Sequence, residues 1–411
     1  MINTIKMNDF MTYLGVNDRD TALFENQWPL PYGISYNAYL IQDEKTCLMD
    51  TVKSTEINQF LSILQASLNG KDLDYIVVHH VEPDHSSGLT VVRSLYPQAK
   101  LVGNAKTFDL LESFYHIDEA DRIVVDEGDT LSLGSKTLTF YKTPMVHWPE
   151  SMVSYLEEDA ILFSQDIFGT YGALEGAIFD DEVSRRSHYA EEAARYYVNI
   201  VSKYNKMAGK ALEKLGGLEI QMICPDHGPV WRSKPEEMLA LYNNLTQFKV
   251  ESSVTIVYGS MYGNTQSAAE LVARTLAEEG IRDIKMYDVS KTDHSYIQTE
   301  CWKSRGIILG ACTYDRKLFP PMKNLCGLLD ENKMQNHVLG IFGNYSWASG
   351  GLEGLQAFAE GQKGYELVEP QPNIHSSLDD SVTEELIAMA KAVAAGVKAH
   401  QEEDQSTSFA L

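Results

Sequence analysis

Residues 79–88 read HHVEPDHSSG, and four candidate metal ligands fall in them at the spacing H-x-E-x-D-H: His80, Glu82, Asp84 and His85. One or two of these side chains could merely cap the elements on either side. Four in one short stretch favour a metal site, because a loop can bring several ligands to one point. The stretch therefore predicts a metal-binding loop.

Candidate ligands follow apolar runs elsewhere in the chain as well. The run YIVV, residues 75–78, is typical of a buried strand and places the loop at its carboxyl end. His147, Asp166 and His227 each follow an apolar run in the same way, so we expect all these side chains to converge. The other histidines lie in helical or polar surroundings and are interpreted as surface or packing residues: His116, His188, His294, His337, His375 and His400.

The charge of the chain narrows the classes of partner. The 411 residues carry a formal net charge of −24. A surface this acidic repels phosphate backbones and anionic lipids, which argues against nucleic acid or a membrane as the main partner. The N-terminus lacks the apolar core of a signal peptide, and no apolar run approaches the ~18 residues of a spanning helix. We therefore expect a cytoplasmic protein.

The five cysteines are scattered, and no two of them form a C-x-x-C pair. This usage predicts reduced, buried thiols and not disulfides. It also argues against an iron–sulfur or rubredoxin-type site, because both need cysteines paired at short spacing. The residues concerned are Cys47, Cys224, Cys301, Cys312 and Cys326.

The two halves of the chain differ in pattern. Up to about residue 250, short strand-like runs mix with helical ones, which indicates sheets covered by helices. Beyond that point strands and helices alternate, as is typical of a doubly wound parallel sheet. A polar connector at 249–253 separates the halves, and we predict domains at residues 1–250 and 251–411.

Helix boundaries follow from local signals. The pattern predicts a long helix over 187–215, broken around Asn205 to Gly209. Ser233 and Ser381 are each followed three residues later by a glutamate, which predicts a capping box at each position. The tail 401–411 is expected to fray.

The stretch TIVYGSMYGNTQSAAELVA, residues 255–273, predicts a strand, a polar turn at 260–265 and a helix. Hydroxyls and backbone N–H groups at a helix N-terminus can hold a phosphate. The turn has neither a Walker G-K-[ST] nor a G-x-G-x-x-G pattern, so a dinucleotide is less favoured. The loops 310–316 and 343–351 follow two further strands and carry aromatic residues suited to flank an isoalloxazine ring.

These loops make the C-terminal half, over about residues 253–400, similar to a flavodoxin. Ala311 and Cys312 stand where flavodoxins often have Ser-Pro, which bears on the conformation of the second loop. The implied cofactor is FMN. The resemblance implies an FMN-binding set of Ser260, Met261, Tyr262, Gly263, Asn264, Thr265, Ala311, Cys312, Thr313, Tyr314, Asn344, Tyr345, Ser346, Trp347 and Gly350.

The N-terminal half, over about residues 30–232, resembles the metallo-β-lactamase superfamily. That resemblance implies an αββα sandwich with a two-metal site at one edge. It assigns His80, Glu82 and His147 to one metal, Asp84, His85 and His227 to the other, and Asp166 to both. Whether His85 binds its metal or gives way to a water is left open.

Glu82 bears on the identity of the metal. Zinc hydrolases of this fold have a histidine at its position. A carboxylate adds negative charge and a harder oxygen ligand, which suits iron in its divalent and trivalent states. Zinc has no redox chemistry and needs no such charge compensation. The sequence therefore favours two Fe ions and electron transfer over hydrolysis.

Together the two halves resemble the flavodiiron proteins, or A-type flavoproteins. The resemblance implies an FMN- and diiron-dependent reductase of dioxygen to water, of nitric oxide to nitrous oxide, or of both. It implies a head-to-tail homodimer or a dimer of dimers, with the FMN of one subunit near the irons of another. Either Tyr196 or Tyr197 resembles the pocket tyrosine of the family. The chain carries no rubredoxin domain, so the expected electron donor is external, either rubredoxin or a reduced deazaflavin.

Two other functions are compatible with parts of the pattern. The first is a zinc-dependent hydrolase of the metallo-β-lactamase superfamily with an accessory flavin domain, against which Glu82 counts. The second is an electron carrier without catalytic activity, in which the first domain is a structural platform. The complete set of ligand-type side chains counts against the second.

Overall fold

The computed structural model describes residues 4–404 and 407–409. The chain forms two compact units that divide between Asn243 and Asn244. The boundary predicted near residue 250 lies between the end of helix α7 (Pro235–Thr246) and strand β17 (Glu251–Gly259). Among the described residues, no helix combines the length and apolar character needed to cross a membrane. All five cysteines are buried as free thiols.

The first unit is built on two sheets of short strands. Its strands are β1 (Ile5–Lys6), β2 (Met11–Tyr13), β3 (Val16–Asp18), β4 (Leu23–Phe24), β5 (Trp28–Pro29), β6 (Ile34–Tyr36), β7 (Tyr39–Gln42), β8 (Thr46–Met49), β9 (Tyr75–Val77), β10 (Lys100–Gly103), β11 (Arg122–Val124), β12 (Thr130–Ser132), β13 (Thr137–Lys142), β14 (Met152–Leu156), β15 (Ile161–Gln165) and β16 (Met222–Pro225). Its helices before α7 are α1 (Ile57–Leu68), α2 (Pro83–Ser86), α3 (Leu89–Leu95), α4 (Ala105–Phe114), α5 (Arg186–Tyr196) and α6 (Asn205–Leu215).

The two sheets face each other. One has seven strands in the order β1-β2-β7-β8-β9-β10-β11, and the other has five in the order β12-β13-β14-β15-β16. Tyr39 of the first sheet packs on Phe163 of the second with ring centroids 5.6 Å apart. The Tyr39 hydroxyl also donates to the Pro225 carbonyl oxygen at 2.7 Å. This is the sandwich expected from the sequence, with helices on its outer faces.

The long helix predicted over 187–215 is interrupted earlier than expected. After Tyr196 the chain forms a π-helical segment, Tyr197–Val201, and a 3₁₀ turn, Ser202–Tyr204, before α6 begins at Asn205. The predicted break at Asn205 to Gly209 is therefore wrong. Asn199 Nδ2 donates to the Arg195 carbonyl oxygen at 2.7 Å, and side-chain bonds of this kind compete with regular helix bonding.

The second unit has a parallel sheet in the order β18-β17-β19-β21-β22. Its further strands are β18 (Ile284–Asp288), β19 (Ser304–Tyr314), β20 (Lys317–Leu318), β21 (His337–Tyr345), β22 (Tyr365–Leu367) and β23 (Asn373–His375). Its helices are α8 (Asn264–Glu278), α9 (His294–Lys303), α10 (Pro320–Asn332), α11 (Gly351–Gly361), α12 (Asp380–Ala399) and α13 (Gln401–Asp404). Helices α8 and α12 share one apolar core with the sheet, and α9, α10 and α11 cover the other face. The doubly wound fold is confirmed.

Both predicted capping boxes are wrong. Pro235 is the first residue of α7, and the Ser233 hydroxyl bonds the carboxylate of Asp180 instead of the helix. At α12 the cap is Asp379, whose side chain accepts from the Val382 N–H at 2.9 Å. Serine-to-glutamate spacing alone did not distinguish these positions from neighbours that cap equally well.

The tail is ordered where it is described. Gln401–Asp404 forms α13, and Arg305 Nε donates to the Asp404 carboxylate at 2.9 Å with both side chains buried. The expectation that the tail frays is wrong for this segment, because a buried ion pair fixes it. Gln405, Ser406, Ala410 and Leu411 lie outside the described residues.

Candidate functional site

Asp166 lies at the centre of the predicted ligands, and its two carboxylate oxygens face different groups. Oδ2 is 2.9 Å from His147 Nε2 and 3.4 Å from His80 Nε2. Glu82 completes this group, with its Oε2 2.8 Å from His147 Nε2 and 3.6 Å from His80 Nε2. The ligand atoms of these four residues are close enough together to hold one metal ion.

The other oxygen of Asp166 faces the second predicted group. Oδ1 is 3.4 Å from both His85 Nε2 and His227 Nε2, which are themselves 3.0 Å apart. Asp84 Oδ2 lies 3.3 Å from His85 Nε2 and 3.5 Å from His227 Nε2. Asp84, His85 and His227 thus form a second possible metal site. The two carboxylate oxygens of Asp166 thus face two separate ligand groups, so Asp166 would bridge the ions if each group held one.

The positions of these side chains follow from the strands before them. His80, Glu82, Asp84 and His85 follow β9 of the seven-stranded sheet, whereas Asp166 and His227 follow the neighbouring parallel strands β15 and β16 of the five-stranded sheet. The carboxyl ends of parallel strands meet at one sheet edge, so these ligands converge there.

Nearby hydrogen bonds fix the loops. The Asn37 amide donates to the carbonyl oxygens of Pro225 at 2.8 Å and Gly228 at 2.9 Å, on either side of His227. The Glu150 carboxylate accepts from the Val81 N–H at 2.8 Å, between two predicted ligands. His227 is oriented through its Nδ1, which lies 2.8 Å from the Ser35 carbonyl oxygen and leaves Nε2 facing the ligand cluster.

Unsatisfied polar atoms test whether metal ions fit these residues. Both ring nitrogens of His80 and both carboxylate oxygens of Asp84 are buried without a hydrogen-bond partner in the described chain. Leaving so many polar atoms unpaired would be strongly unfavourable without a cation. Three carboxylates and four imidazoles supply hard and intermediate ligands of the kind that iron accepts. The residues therefore fit a pair of iron ions.

The proton affinities of these groups are strongly perturbed. Burial opposes the charged form of His147, but the Glu82 and Asp166 carboxylates together outweigh it and raise the pKa of His147 to about 10. Burial likewise opposes the charged form of Glu82, but His147 and His80 together outweigh it and lower the pKa of Glu82 to about 2. His227 has a lowered pKa because burial dominates there. Protons and metal ions compete for such clusters, so metal binding should release protons.

A further buried network supports the loop from behind. The Asp50 carboxylate bonds His79 Nδ1, and His79 Nε2 lies 2.8 Å from the Ser154 hydroxyl. All three side chains are buried. The network joins β14 to the residue before His80, so we interpret it as a support that fixes the start of the ligand loop.

The structure separates the two candidate pocket tyrosines. Tyr196 lies against His227, with ring centroids 5.6 Å apart, and its buried hydroxyl has no hydrogen-bond partner in the described chain. Tyr197 faces elsewhere, since its hydroxyl bonds Asn205 and its ring packs on Tyr242 with centroids 5.1 Å apart. Tyr196 is therefore the better candidate for a residue that contacts substrate.

Aromatic rings enclose this side of the metal cluster. Phe24, on the β4–β5 hairpin, packs edge-on against His227 with ring centroids 5.5 Å apart. Tyr171 contacts both Phe24 and Tyr196, at centroid distances of 5.6 Å and 5.0 Å. The sequence reading missed Phe24 and Tyr171, because neither belongs to a motif and each is indistinguishable from an ordinary core residue.

The second unit has a cavity at the carboxyl ends of β17, β19 and β21, where three loops meet. Gly263, with φ +96°, precedes the first residue of α8, and its N–H donates to the Ser260 hydroxyl at 3.0 Å. The first N–H groups of a helix lack partners within the helix and attract anions. The cavity is lined by Ser260, Met261, Tyr262, Asn264, Thr265, Cys312, Thr313, Asn344, Tyr345, Ser346 and Ser376.

Most residues of the predicted FMN set line this cavity, and some do not. Ala311 is buried in β19, whereas Tyr314 and Trp347 are 52% and 74% exposed. Gly263 and Gly350 shape the loops: a Cβ on Gly350 would lie 2.3 Å from the backbone of Arg316. The hydroxyls, the helix N-terminus and the flat cavity between loops fit a flavin mononucleotide.

Ser376 lines the cavity but was missed from the sequence. Its N–H donates to the Tyr345 carbonyl oxygen at 2.7 Å, and the neighbouring His375 stacks on the Tyr345 ring with centroids 5.0 Å apart. Ser376 lies beyond the three strand-to-helix loops, in a segment without a recognisable motif. Only the pairing of β23 with β21 brings it there.

Comparison with known proteins places the chain in a family. Residues 34–228 match the family described as ODP family beta lactamase, and residues 256–368 match the flavodoxin family. The chain is 32% identical over 371 residues to an uncharacterized protein of Methanocaldococcus jannaschii, covering 90% of this chain and 93% of that protein. It is 34% identical over 327 residues to the anaerobic nitric oxide reductase flavorubredoxin of Escherichia coli O1:K1, covering 79% of this chain and 68% of that protein.

Solved structures agree with these relatives. The rubredoxin oxygen:oxidoreductase of Desulfovibrio gigas superimposes with a TM-score of 0.91 at 29% identity, covering 98% of this chain and 100% of that one. A flavoprotein of Thermotoga maritima superimposes with a TM-score of 0.85 at 28% identity, covering 95% and 98%. The fold and the two sites define a two-domain metalloflavoprotein. The chain belongs to the flavodiiron protein family.

Proposed function

We propose that this protein reduces dioxygen to water, nitric oxide to nitrous oxide, or both, with electrons from an external donor. The observation that carries the proposal is the position of Asp166, whose two oxygens face two separate groups of ligands. A bridging carboxylate between two such groups suits a pair of metal ions, and Glu82 favours iron in the group to which it belongs. The flavodoxin-like unit of the same chain supplies the site for FMN.

When bound, FMN would supply one-electron redox chemistry and a pair of iron ions would supply the site at which the gas is reduced. The protein's own residues hold these groups and shape the pocket. His80, Glu82 and His147 hold one iron; Asp84, His85 and His227 hold the other. Phe24 and Tyr171 present aromatic surface that keeps the pocket poor in water. The Tyr196 hydroxyl remains available to donate a hydrogen bond to the bound gas.

The partners follow from the family and from this sequence. The relatives include a rubredoxin oxygen:oxidoreductase and a nitric oxide reductase flavorubredoxin, and the described residues hold no cysteine pair for iron binding. We propose an external rubredoxin or a reduced deazaflavin as donor. We also propose a head-to-tail homodimer, or a dimer of dimers, in the cytoplasm. In this arrangement the FMN of one subunit serves the irons of its partner.

Anaerobic turnover with reduced rubredoxin tests the proposal, with dioxygen and nitric oxide compared on one preparation whose metal content is known. We expect two irons per chain, bound FMN and consumption of at least one gas. Asp166→Ala should abolish gas reduction while FMN stays bound, whereas His116→Ala, on the exposed surface of the same unit, should behave as wild type. Two zinc ions and no iron per chain would favour the hydrolase instead.

A further inference from the structure

Asp226 lies beside two predicted ligands without belonging to either group. Its Oδ2 is 3.9 Å from His80 Nδ1 and 3.8 Å from His85 Nδ1. These three atoms are buried, and none has a hydrogen-bond partner in the described chain. Buried polar atoms are nearly always paired in folded proteins. A carboxylate oxygen that faces two unpaired ring nitrogens therefore calls for an explanation.

His85, Asp166 and Asp226 are also close enough together to hold an ion, but the ring geometry sets Asp226 apart from the two predicted ligand groups. The Nε2 atoms of His80 and His85 both face Asp166, at 3.4 Å. Asp226 faces Nδ1, the other nitrogen of each ring. It therefore lies behind the two imidazoles, on the side away from the Asp166 carboxylate.

The backbone of Asp226 is fixed on both sides. Its N–H donates to the Gln165 carbonyl oxygen at 3.0 Å, and its carbonyl oxygen accepts from the Asn37 N–H at 2.7 Å. Gln165 directly precedes Asp166, so the same strand end positions the central carboxylate and the one behind the rings.

We propose that Asp226 is a shared positioning residue: its Oδ2 accepts hydrogen bonds that originate from the Nδ1–H groups of both His80 and His85, directly or through one water. Each Nε2 lone pair is then directed toward an iron, one in each ligand group. The separations exceed a direct N–H···O bond, so the contact closes through a small rotation or one bridging water. A hydrogen bond at the second nitrogen fixes the tautomer and raises the basicity of a ligating histidine.

This inference rests on the proposed diiron function and deepens it in two ways. It makes His85 a ligand through Nε2, which the sequence left open. It also predicts that one residue affects both irons together, because His80 and His85 belong to different groups. A residue that orients a single ligand would affect only one iron.

The test compares Asp226→Asn with wild type and with Asp180→Asn, a buried aspartate of the same unit that bonds Ser233. Iron affinities are measured by chelator competition on the FMN-loaded protein, together with the electron paramagnetic resonance spectrum of the mixed-valent iron pair. We expect Asp226→Asn to weaken both irons 10–100-fold, to alter the spectrum and to leave FMN affinity unchanged. Asp180→Asn should leave both irons and the spectrum unchanged.

Three results would overturn the proposal. If Asp226→Asn binds both irons as tightly as wild type does, a positioning role is excluded. The proposed function would still stand, provided that the wild-type protein itself carries iron. Weakening of only one iron would exclude the shared role. If Asp226→Asn fails to fold, Asp226→Glu and Asp226→Gln are compared instead, because the two side chains have nearly the same shape and differ in charge. Equal iron retention by these two variants would exclude a role for the carboxylate. Wild type without iron would instead refute the proposed function itself.

Discussion

The ring of Tyr196 lies 5.6 Å from the ring of His227, and the Tyr196 hydroxyl is buried without a hydrogen-bond partner in the described chain. The hydroxyl of the next residue, Tyr197, donates a hydrogen bond to the Asn205 side chain. Two consecutive tyrosines, one at the end of α5 and one at the start of the π-helical segment, thus have opposite environments. The Tyr197 hydroxyl forms a hydrogen bond within the protein, whereas the Tyr196 hydroxyl remains available beside a predicted metal ligand.

Tyr196→Phe should therefore slow gas reduction without changing the cofactor content. Removing one hydrogen bond of about 1 kcal/mol from the reacting complex lowers kcat roughly fivefold to tenfold. Stopped-flow turnover with each gas would measure it. Tyr197→Phe is the matched control, and it should lower the free energy of unfolding while turnover stays at the wild-type rate. Equal turnover of Tyr196→Phe and wild type would argue against contact with substrate.

Glu82→His should shift metal preference from iron toward zinc. The substitution removes one of three carboxylates and supplies a softer imidazole, which suits a divalent ion without redox chemistry. Reconstitution with equal concentrations of ferrous iron and zinc, followed by elemental analysis, would give the ratio. We expect a higher zinc-to-iron ratio than in wild type and a large loss of gas reduction. An unchanged ratio would mean that Glu82 does not set metal identity.

Gly263 and Gly280 offer a matched pair at the two ends of α8. Both have positive φ, +96° and +91°, and a Cβ on either would meet no atom within 4 Å. Alanine at each should destabilise the unit by about 1–2 kcal/mol through backbone strain alone. Only Gly263 lies in the FMN loop, so Gly263→Ala should also weaken FMN binding, measured by fluorescence titration. Equal FMN affinity in the two variants would contradict this assignment of the loop.

His337 should make the second unit less stable in acid. Burial, opposed by the bond to Ser304 and reinforced by Arg305, lowers the pKa of His337 to about 4. An unfolded histidine titrates near 6.5, so between these values the unfolded chain binds a proton that the folded unit excludes. The stabilisation is complete above pH 6.5 and is lost as the pH falls toward 4.

The size of that effect can be measured by urea unfolding followed through FMN fluorescence. Between pH 7 and pH 5 the wild type should lose about 2 kcal/mol more than His337→Asn. Comparing the two proteins cancels the carboxylates that titrate over the same range. His400→Asn replaces a side chain that is 42% exposed, and this variant should lose as much free energy of unfolding between pH 7 and pH 5 as the wild type does. If His337→Asn and wild type lose the same free energy of unfolding over this pH range, His337 is not the source of the acid sensitivity.

Much of the fold was predictable because apolar periodicity is local. The runs before His80 and Asp166 are strands in the structure, and the phosphate turn at 260–265 precedes a helix as expected. Spacing also identified the side chains that gather around Asp166, since each follows a strand end.

The features that the sequence did not predict depend on contacts between segments that are far apart in the chain. Asp226 matters because of the rings of His80 and His85, more than a hundred positions earlier in the sequence. Ser376 reaches the cavity through strand pairing, and Asp404 is fixed by Arg305. The competition between Asp379 and Ser381 for the cap of α12 was a local problem, but the two candidates are chemically similar.

The predicted iron ligands come from two facing sheets, and the last of them, His227, follows β16. During synthesis, neither ligand group can be completed from the first sheet alone. The group that contains Asp84 and His85 is therefore complete only once His227, just over half-way along the 411 residues, has left the ribosome and the two sheets have come together. A nascent chain stalled before His227 would lack one ligand of that group.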